Sequence, residues 1–493
     1  MANMLSAVAG LSASIISVPV ILHHIGTAGY GVWVLGLTVI LYLSIADAGF
    51  GPAIQRWTAV ARGSGDGSAA TRLLWTSVAI YAAIAIPASL AFAALSPTLA
   101  RLFTAAPGPM RDDATQMFRL VSLALLLVLM TNAIGNVLQG LERFQAITLS
   151  AILGAIVQLA AILALMAAGR GLQGLAEALV IQQLVVLATR LVALRDVLGA
   201  GRPGILRRSE LRAVIGFAGR LQLNALAGLI NSQSDKVVVG IVATAAVVGQ
   251  LGIASQLVDG GRLLVTAALA PIVSALAVTV GTRDVEQLRR QFAWMHRTWL
   301  YVIGGGTVIA MGALYPIVDG WIGGHHEAIV LGLVLTLANG ISLCTGTGVA
   351  YLRAVGRPQL EARLGPVIVV CNLVFTVPLA VAFGARGVVC GTLGAYVLGT
   401  LWFMRRFRAL TPDLDHVGPR ELLRPALLAT AAGGAALAGG IGATALLPTG
   451  LALVPVGLVT GAAFVLYLAL VTGRSLRPSA VRSLVTQLRG TPA

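Results

Sequence analysis

Long apolar stretches of this chain alternate with short polar gaps, and its cationic residues are concentrated in every second gap. Of the 34 Lys and Arg residues, 26 lie in alternate gaps and the tail. The intervening gaps hold only Arg101, Arg111, Arg119, Arg170 and Arg386. A chain threaded through a membrane shows this alternation, because short cytoplasmic loops retain Arg and Lys. The pattern predicts a multi-pass membrane protein with both termini in the cytoplasm.

The apolar stretches are long enough to cross a bilayer as helices, which takes about 20 residues each. They are continuous and rich in Leu and Ala, which favours helices over a barrel. We therefore predict an all-α integral membrane protein with about 14 transmembrane helices. The predicted spans are 4–22, 31–55, 73–95, 116–138, 147–168, 175–195, 213–241, 246–280, 298–322, 327–352, 361–383, 386–408, 422–446 and 450–472.

The composition limits the class of protein to which this chain can belong and the partners that it can bind. Charged residues make up 11% of the chain, against about 25% in soluble domains. The net charge of +16 is spread over many cytoplasmic segments, so we expect anionic lipid headgroups and no nucleic acid as partners. The loops are too short to form a catalytic domain, and no phosphate-binding GxxxxGK[ST] motif occurs. The three cysteines lack CxxC spacing, so no metal site is expected.

A weak internal duplication predicts the domain organisation. "GTAGYGVWVL" precedes span 2 and "VLQGLERFQAITL" follows span 4, while "ATAAVVGQLGIA" and "YLRAVGRPQLEARL" flank spans 8 to 10 in the same way. Gly31 and Gly249 occupy corresponding positions in the two leading motifs. Repeated halves are typical of secondary transporters, with the substrate site between them. The predicted units are two six-helix lobes and an additional helix pair with the tail: 1–200, 201–410 and 411–493.

Polar side chains line one face of several predicted spans, as the helical periodicity of 100° per residue shows. The stripes are Asp47 with Ser44 and Gln55 in span 2; Asn132, Asn136, Gln139 and Arg143 in span 4; Arg220, Asn224, Asn231 and Asp235 in span 7; and Ser255, Asp259, Arg262 and Thr266 in span 8. A charge at mid-bilayer costs about 2.5–3.5 kcal/mol, so it faces a partner or a water-filled cavity. Asp259 and Arg262 could neutralise each other as i,i+3 neighbours. The other stripes favour a hydrated cavity lined from both halves.

The cations in these stripes indicate an anionic substrate. Guanidinium groups bind phosphate in a bidentate manner and stay charged at any relevant pH. Arg220 and Arg262 balance the carboxylates of Asp47 and Asp259, and aromatic residues make up only 5% of the chain. An exporter of organic cations would be expected to show carboxylates and aromatic rings instead. The cavity suits a phosphorylated glycan.

Three short motifs resemble a known family. Residues 25–63, "IGTAGYGVWVLGLTVILYLSIADAGFGPAIQRWTAVARG", resemble the opening of the polysaccharide biosynthesis/O-antigen flippase family of the multidrug/oligosaccharidyl-lipid/polysaccharide (MOP) exporter superfamily. "LQGLERF" (138–144) and "LRAVGRP" (352–358) resemble the cytoplasmic ends of spans 4 and 10 in that family. The glycine-rich arginine motif of the lipid II flippases is not evident, which disfavours that branch. The residues matching the family's Gly-x-x-x-Tyr-Gly turn and Asp-x-Gly-x-Gly step are Gly26, Tyr30, Gly31, Asp47, Gly49 and Gly51.

The resemblance implies a V-shaped pair of lobes that works by alternating access in a bacterial inner membrane. It implies a non-enzymatic flippase that moves an undecaprenyl-diphosphate-linked oligosaccharide, driven by an H⁺ or Na⁺ gradient without a bound cofactor. We expect Arg220 and Arg262 to bind the diphosphate. The amides expected to bind sugars are Asn132, Asn136, Asn224 and Asn231. The candidates for ion coupling are Asp47, Asp235 and Asp259.

Two alternatives differ in class. The first is a cation or drug antiporter of the same superfamily. The second is a membrane glycosyltransferase or polymerase that uses lipid-linked sugars, which would need acidic residues in a sizeable outer loop. The longest outer loop offers only Asp112 and Asp113 beside Arg111. Besides the lipid-linked anionic glycan and membrane lipids, the expected partners are polysaccharide polymerase and assembly proteins.

Overall fold

The computed structural model describes residues 2–64, 67–104, 108–199, 204–205, 208–281 and 284–472. All the regular structure in these residues is helical: a short 3₁₀ helix, Ser44–Ala46, and 16 α-helices. The α-helices are α1 Ala2–Leu43, α2 Asp47–Gly63, α3 Gly67–Phe103, α4 Pro109–Gly140, α5 Phe144–Ala167, α6 Gly171–Ala193, α7 Arg195–Gly199, α8 Arg208–Val242, α9 Ala245–Ala267, α10 Leu269–Gly281, α11 Val285–Ile322, α12 His326–Leu343, α13 Gly346–Ala354, α14 Gln359–Leu410, α15 Pro419–Leu446 and α16 Leu453–Thr472.

The helices confirm the predicted fold class, an all-α multi-pass membrane protein. Eleven helical segments in the described residues are long and apolar enough to cross a membrane. Each predicted span overlaps one described α-helix or two consecutive ones, although span 147–168 ends one residue after α5 and span 450–472 begins three residues before α16. The count of 14 crossing helices stays a prediction, because α14 contains two predicted spans and α1 contains one span and the start of the next.

Glycines mark the breaks inside these two long helices. Gly26 in α1 has φ 66°, and Gly384 in α14 has φ 59°, both in the left-handed region that favours glycine. The predicted spans end and restart around these same positions, at 22/31 and 383/386. The breaks therefore separate neighbouring spans without an intervening loop.

The chain divides into two compact units, residues 1–252 and 253–493. In the first unit, a buried cluster that includes Ile54, Leu74 and Leu138 joins α2, α3 and α4. In the second, α15 and α16 pack on α11, where the Tyr467 ring covers Gly305. The predicted domain boundary at 200/201 lies outside the described residues, and the division into 1–200, 201–410 and 411–493 stays a prediction.

The two duplicated motifs meet inside the first unit. A Cβ added to Gly31 would lie 1.7 Å from the carbonyl oxygen of Ala245, and one added to Gly249 would lie 2.2 Å from that of Thr27. Glycine at both positions lets the backbones of α1 and α9 touch. The corresponding glycines of the repeat thus form a reciprocal contact, which explains why each motif contains one.

Candidate functional site

Asp47 lies at a break in the second predicted span. α1 ends at Leu43, the 3₁₀ helix follows, and Asp47 is the first residue of α2. The backbone stays helical through this turn, with Asp47 at φ −63° and ψ −33° and its N–H bonded to the Ser44 carbonyl. The groups that stabilise an acidic side chain here are therefore its side-chain partners.

Three side chains from α3 and α4 donate hydrogen bonds to the Asp47 carboxylate. The Tyr81 hydroxyl and the Asn136 amide donate to Oδ1, the latter at 2.9 Å. The Asn132 amide donates to Oδ2 at 3.2 Å. Asn136 Nδ2 also lies 2.9 Å from the Tyr81 hydroxyl oxygen. Tyr81 is 1% exposed and Asn136 6%, so these two donors contact the partly exposed Asp47 from inside the helix bundle.

Two glutamine side chains extend this network toward the end of α4. Gln55 Nε2 donates to Asn136 Oδ1 at 3.1 Å and to Gln139 Oε1 at 2.7 Å. Gly51 gives the network its space, because an added Cβ would lie 3.0 Å from Asn136 Nδ2 and 3.1 Å from Asp47 Oδ1. The polar stripes predicted on spans 2 and 4 thus face each other. We call Asp47, Gln55, Tyr81, Asn132, Asn136 and Gln139 the Asp47 network.

Arg190 supplies a positive charge beside this network. It projects from α6, donates to the Thr131 carbonyl at 2.5 Å and lies 3.3 Å from Ser150 Oγ. Its charge interacts with that of Asp47. Gly135 makes room for it, since a Cβ there would lie 2.6 Å from Arg190 Nη1. The interior of the first unit therefore contains a carboxylate and a guanidinium that are each hydrogen-bonded to neutral groups.

In the second unit, Arg262 is held by neutral groups and lines a cavity. Its Nη1 donates to Asn339 Oδ1 at 3.2 Å and lies 3.5 Å from the Tyr396 hydroxyl. The cavity, about 320 Å³, lies among α9, α11, α12 and α16 and has mostly apolar walls that include Phe464. The two acceptors of Nη1 are neutral, so they do not neutralise the charge of Arg262.

The remaining predicted residues lie elsewhere. Asp235 is buried in α8, where the residue after it, Lys236, donates to Gln233 at 3.1 Å. Asp259 is exposed on α9. The structure thus groups Asp47 with Asn132 and Asn136 and places Arg262 in the second unit. The predicted cavity between the halves stays a prediction. Three predicted side chains lie outside the described part of the chain: Arg220, Asn224 and Asn231.

Arg143, which the sequence places in the stripe of span 4, has a different role. It follows the end of α4 and pairs with Asp196 of α7 through two hydrogen bonds, one of 2.7 Å. The hydrogen bond from Arg143 lowers the pKa of Asp196 to about 2. The pair joins two helix ends outside the spans.

Sequence reasoning missed Tyr81, Arg190 and Asn339. Tyr81 is a single hydroxyl in an apolar span, and Arg190 lies near a span end, where it resembles a loop cation. A search of the spans for every isolated polar residue would have found all three. Among the described residues, no three His, Cys, Asp or Glu side chains are grouped to hold a metal ion.

Three solved structures with this fold are of a flippase and two transporters. The chain is similar to a structure of the lipid II flippase MurJ in an inward closed conformation, with a TM-score of 0.69 and 11% identity over 97% of this chain and 99% of that one. It is also similar to an inward-facing multidrug resistance MATE family transporter of the MOP superfamily, with a TM-score of 0.63 and 17% identity over 84% and 96% of the two chains. A MOP superfamily transporter from Pyrococcus furiosus gives a TM-score of 0.54 and 16% identity over 82% and 94%.

Comparison with sequence profiles of protein families identifies the family of this chain. No curated protein matches the chain significantly. The sequence profile of the family described as "Polysaccharide biosynthesis protein" matches residues 1–277, more than half of the chain. Together with the helical fold, this confirms the resemblance carried by the Gly26–Gly51 motifs. The chain belongs to the polysaccharide biosynthesis protein family and has the fold of the MOP-superfamily transporters.

Proposed function

We propose that this chain is a flippase that moves an undecaprenyl-diphosphate-linked oligosaccharide from the inner to the outer leaflet of a bacterial inner membrane. The proposal assigns both termini to the cytoplasm, as the arginine distribution predicts. Transport is by alternating access, driven by an H⁺ or Na⁺ gradient, and the chain itself carries out no covalent chemistry.

The observation that carries this proposal is the environment of Arg262. Its Nη1 lies against the neutral oxygens of Asn339 and Tyr396, and these two contacts do not neutralise the charge of the guanidinium. The cavity that it lines has mostly apolar walls. An anionic diphosphate attached to a polyprenyl chain needs a cation beside an apolar surface. In this low-dielectric setting a guanidinium–phosphate pair is stronger than in water.

The Asp47 network supports coupling to an ion gradient. As a carboxylate, Asp47 accepts hydrogen bonds from Tyr81, Asn132 and Asn136. After protonation it would instead donate one, and the Tyr81 hydroxyl can rotate to accept it. Protonation therefore reverses the hydrogen bond that joins α2 to α3, whereas the amides of Asn132 and Asn136 on α4 still donate, now to an uncharged group. Because Asn132 and Asn136 already bind Asp47, we assign them to coupling rather than to the sugars, and leave sugar binding to Asn224 and Asn231.

Substituting Arg262 tests the anion site. Arg262→Gln keeps an amide that can bond Asn339 but removes the charge, so it should abolish glycan export while membrane levels of the protein stay normal. Arg101→Gln, an exposed cation at the end of α3, is the matched control and should export normally. Normal export by Arg262→Gln would remove the anion-site argument.

A cation or drug antiporter is the second candidate, favoured by the likeness to MATE transporters and by the carboxylate of Asp47. Expression in a sensitive host discriminates the two. Resistance to cationic dyes that is lost in Asp47→Asn and kept in Arg262→Gln would support the antiporter. Glycan export that depends on both residues, without dye resistance, supports the flippase.

A further inference from the structure

A second basic site lies at one end of the second unit, in a region that the proposed transport mechanism does not use. It is a cavity of about 690 Å³ between the end of α13, the start of α14 and the end of α14. Three arginines line it: Arg357 from the turn between α13 and α14, Arg363 from the start of α14, and Arg406 from its end. Its volume is within the roughly 300–1,000 Å³ typical of sites for small ligands.

The positive charge of this cavity has no acidic partner in its lining, because the described lining residues include no Asp or Glu. Glu361, which lies on the same turn of α14 as Arg363, forms a bidentate pair with Arg353 instead, at 2.9 and 2.5 Å. Asp413 lies 3.8 Å from Arg289. Three cations of one sign around a concave space attract an anion strongly.

The same cavity has the aromatic and apolar surroundings of a lipid headgroup site. Tyr351 and Trp402 line it beside the arginines. Tyr and Trp side chains concentrate at the level of the headgroups. Along α14, Leu398 and Leu401 are 44% and 47% exposed, which is how a helix faces acyl chains. The order along the helix, from exposed leucines to Trp402 to Arg406, is the order from acyl chain to headgroup.

We infer that this cavity binds the phosphate headgroup of a membrane lipid in the leaflet that the arginine distribution assigns to the cytoplasm. Guanidinium groups bind phosphate oxygens in a bidentate manner, and three of them can hold a headgroup with two phosphates. Basic pockets between transmembrane helices on this side of a membrane bind such headgroups. The chemistry fits both a diphosphatidyl phospholipid and a polyprenyl diphosphate. We call the three arginines with Tyr351 and Trp402 the headgroup site.

Native mass spectrometry of the full-length protein in detergent tests the inference. The probes are diphosphatidylglycerol, phosphatidylglycerol, phosphatidylcholine, undecaprenyl diphosphate without sugar, and inorganic diphosphate. We expect one tightly bound lipid with two phosphates per chain, weaker binding of phosphatidylglycerol, and none of phosphatidylcholine. Each charge near the surface contributes about a fivefold change in affinity. The variant R357Q/R363Q/R406Q should therefore bind this lipid about a hundredfold more weakly.

The control variant R290Q/R405Q/R420Q removes the same charge from exposed arginines of the same unit that are not among the described lining residues. It should retain the bound lipid within about threefold. Equal loss of lipid binding in both triple variants would show that only net charge matters. No loss in either variant would show that these arginines do not bind the lipid. Both results would overturn the site. If the triple variant does not fold, R363Q alone should still weaken binding about fivefold, and unchanged affinity would refute the inference.

The probes also identify the source of the phosphate. Tight binding of diphosphatidylglycerol alone assigns the site to a bulk phospholipid. Tight binding of undecaprenyl diphosphate alone assigns the site to the headgroup of the proposed substrate. Only this interpretation rests on the proposed function. Inorganic diphosphate that binds as tightly as either lipid would contradict a lipid site.

Discussion

The hydroxyl of Tyr81 offers a sharp test of the Asp47 network. Tyr81→Phe removes one oxygen atom and keeps a ring that is 1% exposed. The hydroxyl donates to Asp47 Oδ1, and Asn136 retains Asp47 as a partner at 2.9 Å after the substitution. The change therefore deletes a hydrogen bond to a charged group without leaving a buried donor unpaired.

The expected cost follows from the charge of the acceptor. A hydrogen bond to an ionised group contributes about 1.5–3 kcal/mol, so we expect the free energy of unfolding to fall by about 2 kcal/mol. Tyr467→Phe is the matched control, because Tyr467 is also 1% exposed and its hydroxyl donates to the neutral Tyr301 carbonyl at 2.9 Å. Neutral hydrogen bonds inside membranes average about 0.6 kcal/mol. The two tyrosines should therefore differ by more than 1 kcal/mol.

Reversible unfolding by SDS in bicelles measures both values. Combining Tyr81→Phe with Asp47→Asn in a double-mutant cycle isolates their coupling, which should be about 1.5 kcal/mol. Transport should fall in Tyr81→Phe and stay normal in Tyr467→Phe. Equal destabilisation by the two tyrosine variants, with a coupling energy near zero, would refute the view that Tyr81 holds an ionised carboxylate.

Two further predictions concern structure. Gly31→Ala should destabilise the first unit by at least about 1–3 kcal/mol, since its Cβ would lie 1.7 Å from the Ala245 carbonyl oxygen. Gly36→Ala should be tolerated, because its Cβ would meet side chains only, the Met117 methyl at 3.2 Å and the Phe118 ring at 3.5 Å; SDS unfolding distinguishes the two variants. The Arg143–Asp196 pair should stabilise the fold by less than about 1 kcal/mol because both side chains are partly exposed. The pKa of Asp196 is lowered to about 2 from about 3.9 in the unfolded chain, so this contribution is complete above about pH 5 and is lost as the pH falls through 2. The stability difference between wild type and Arg143→Gln should follow that course, and a difference that persists at pH 2 would contradict it.

Sequence periodicity predicted the parts of the site that lie on regular helices. Asp47, Asn132 and Asn136 were placed on polar faces of two spans, and those faces meet in the structure. The predicted span boundaries at 22/31 and 383/386 enclose the helix breaks that the structure shows at Gly26 and Gly384, although the glycines themselves were not predicted as breaks.

Helical periodicity does not predict which side chains meet when helices pack, so these contacts could not be predicted. Tyr81 joins the network through the packing of α3 on α4, which a single sequence does not specify. Arg190 resembles a loop cation by position, yet it donates to the Thr131 carbonyl. Arg143 lies in phase with the stripe of span 4, but α4 ends at Gly140 and the following turn redirects the side chain to Asp196.

Movement of a fluorescent undecaprenyl-diphosphate oligosaccharide in proteoliposomes, with and without an imposed ion gradient, tests the account most directly. We predict that an H⁺ or Na⁺ gradient accelerates movement of this lipid by the wild-type protein, and that Asp47→Asn abolishes the acceleration. Absence of lipid movement, together with exchange of a cationic dye for protons in the same vesicles, would contradict the flippase account and establish an antiporter.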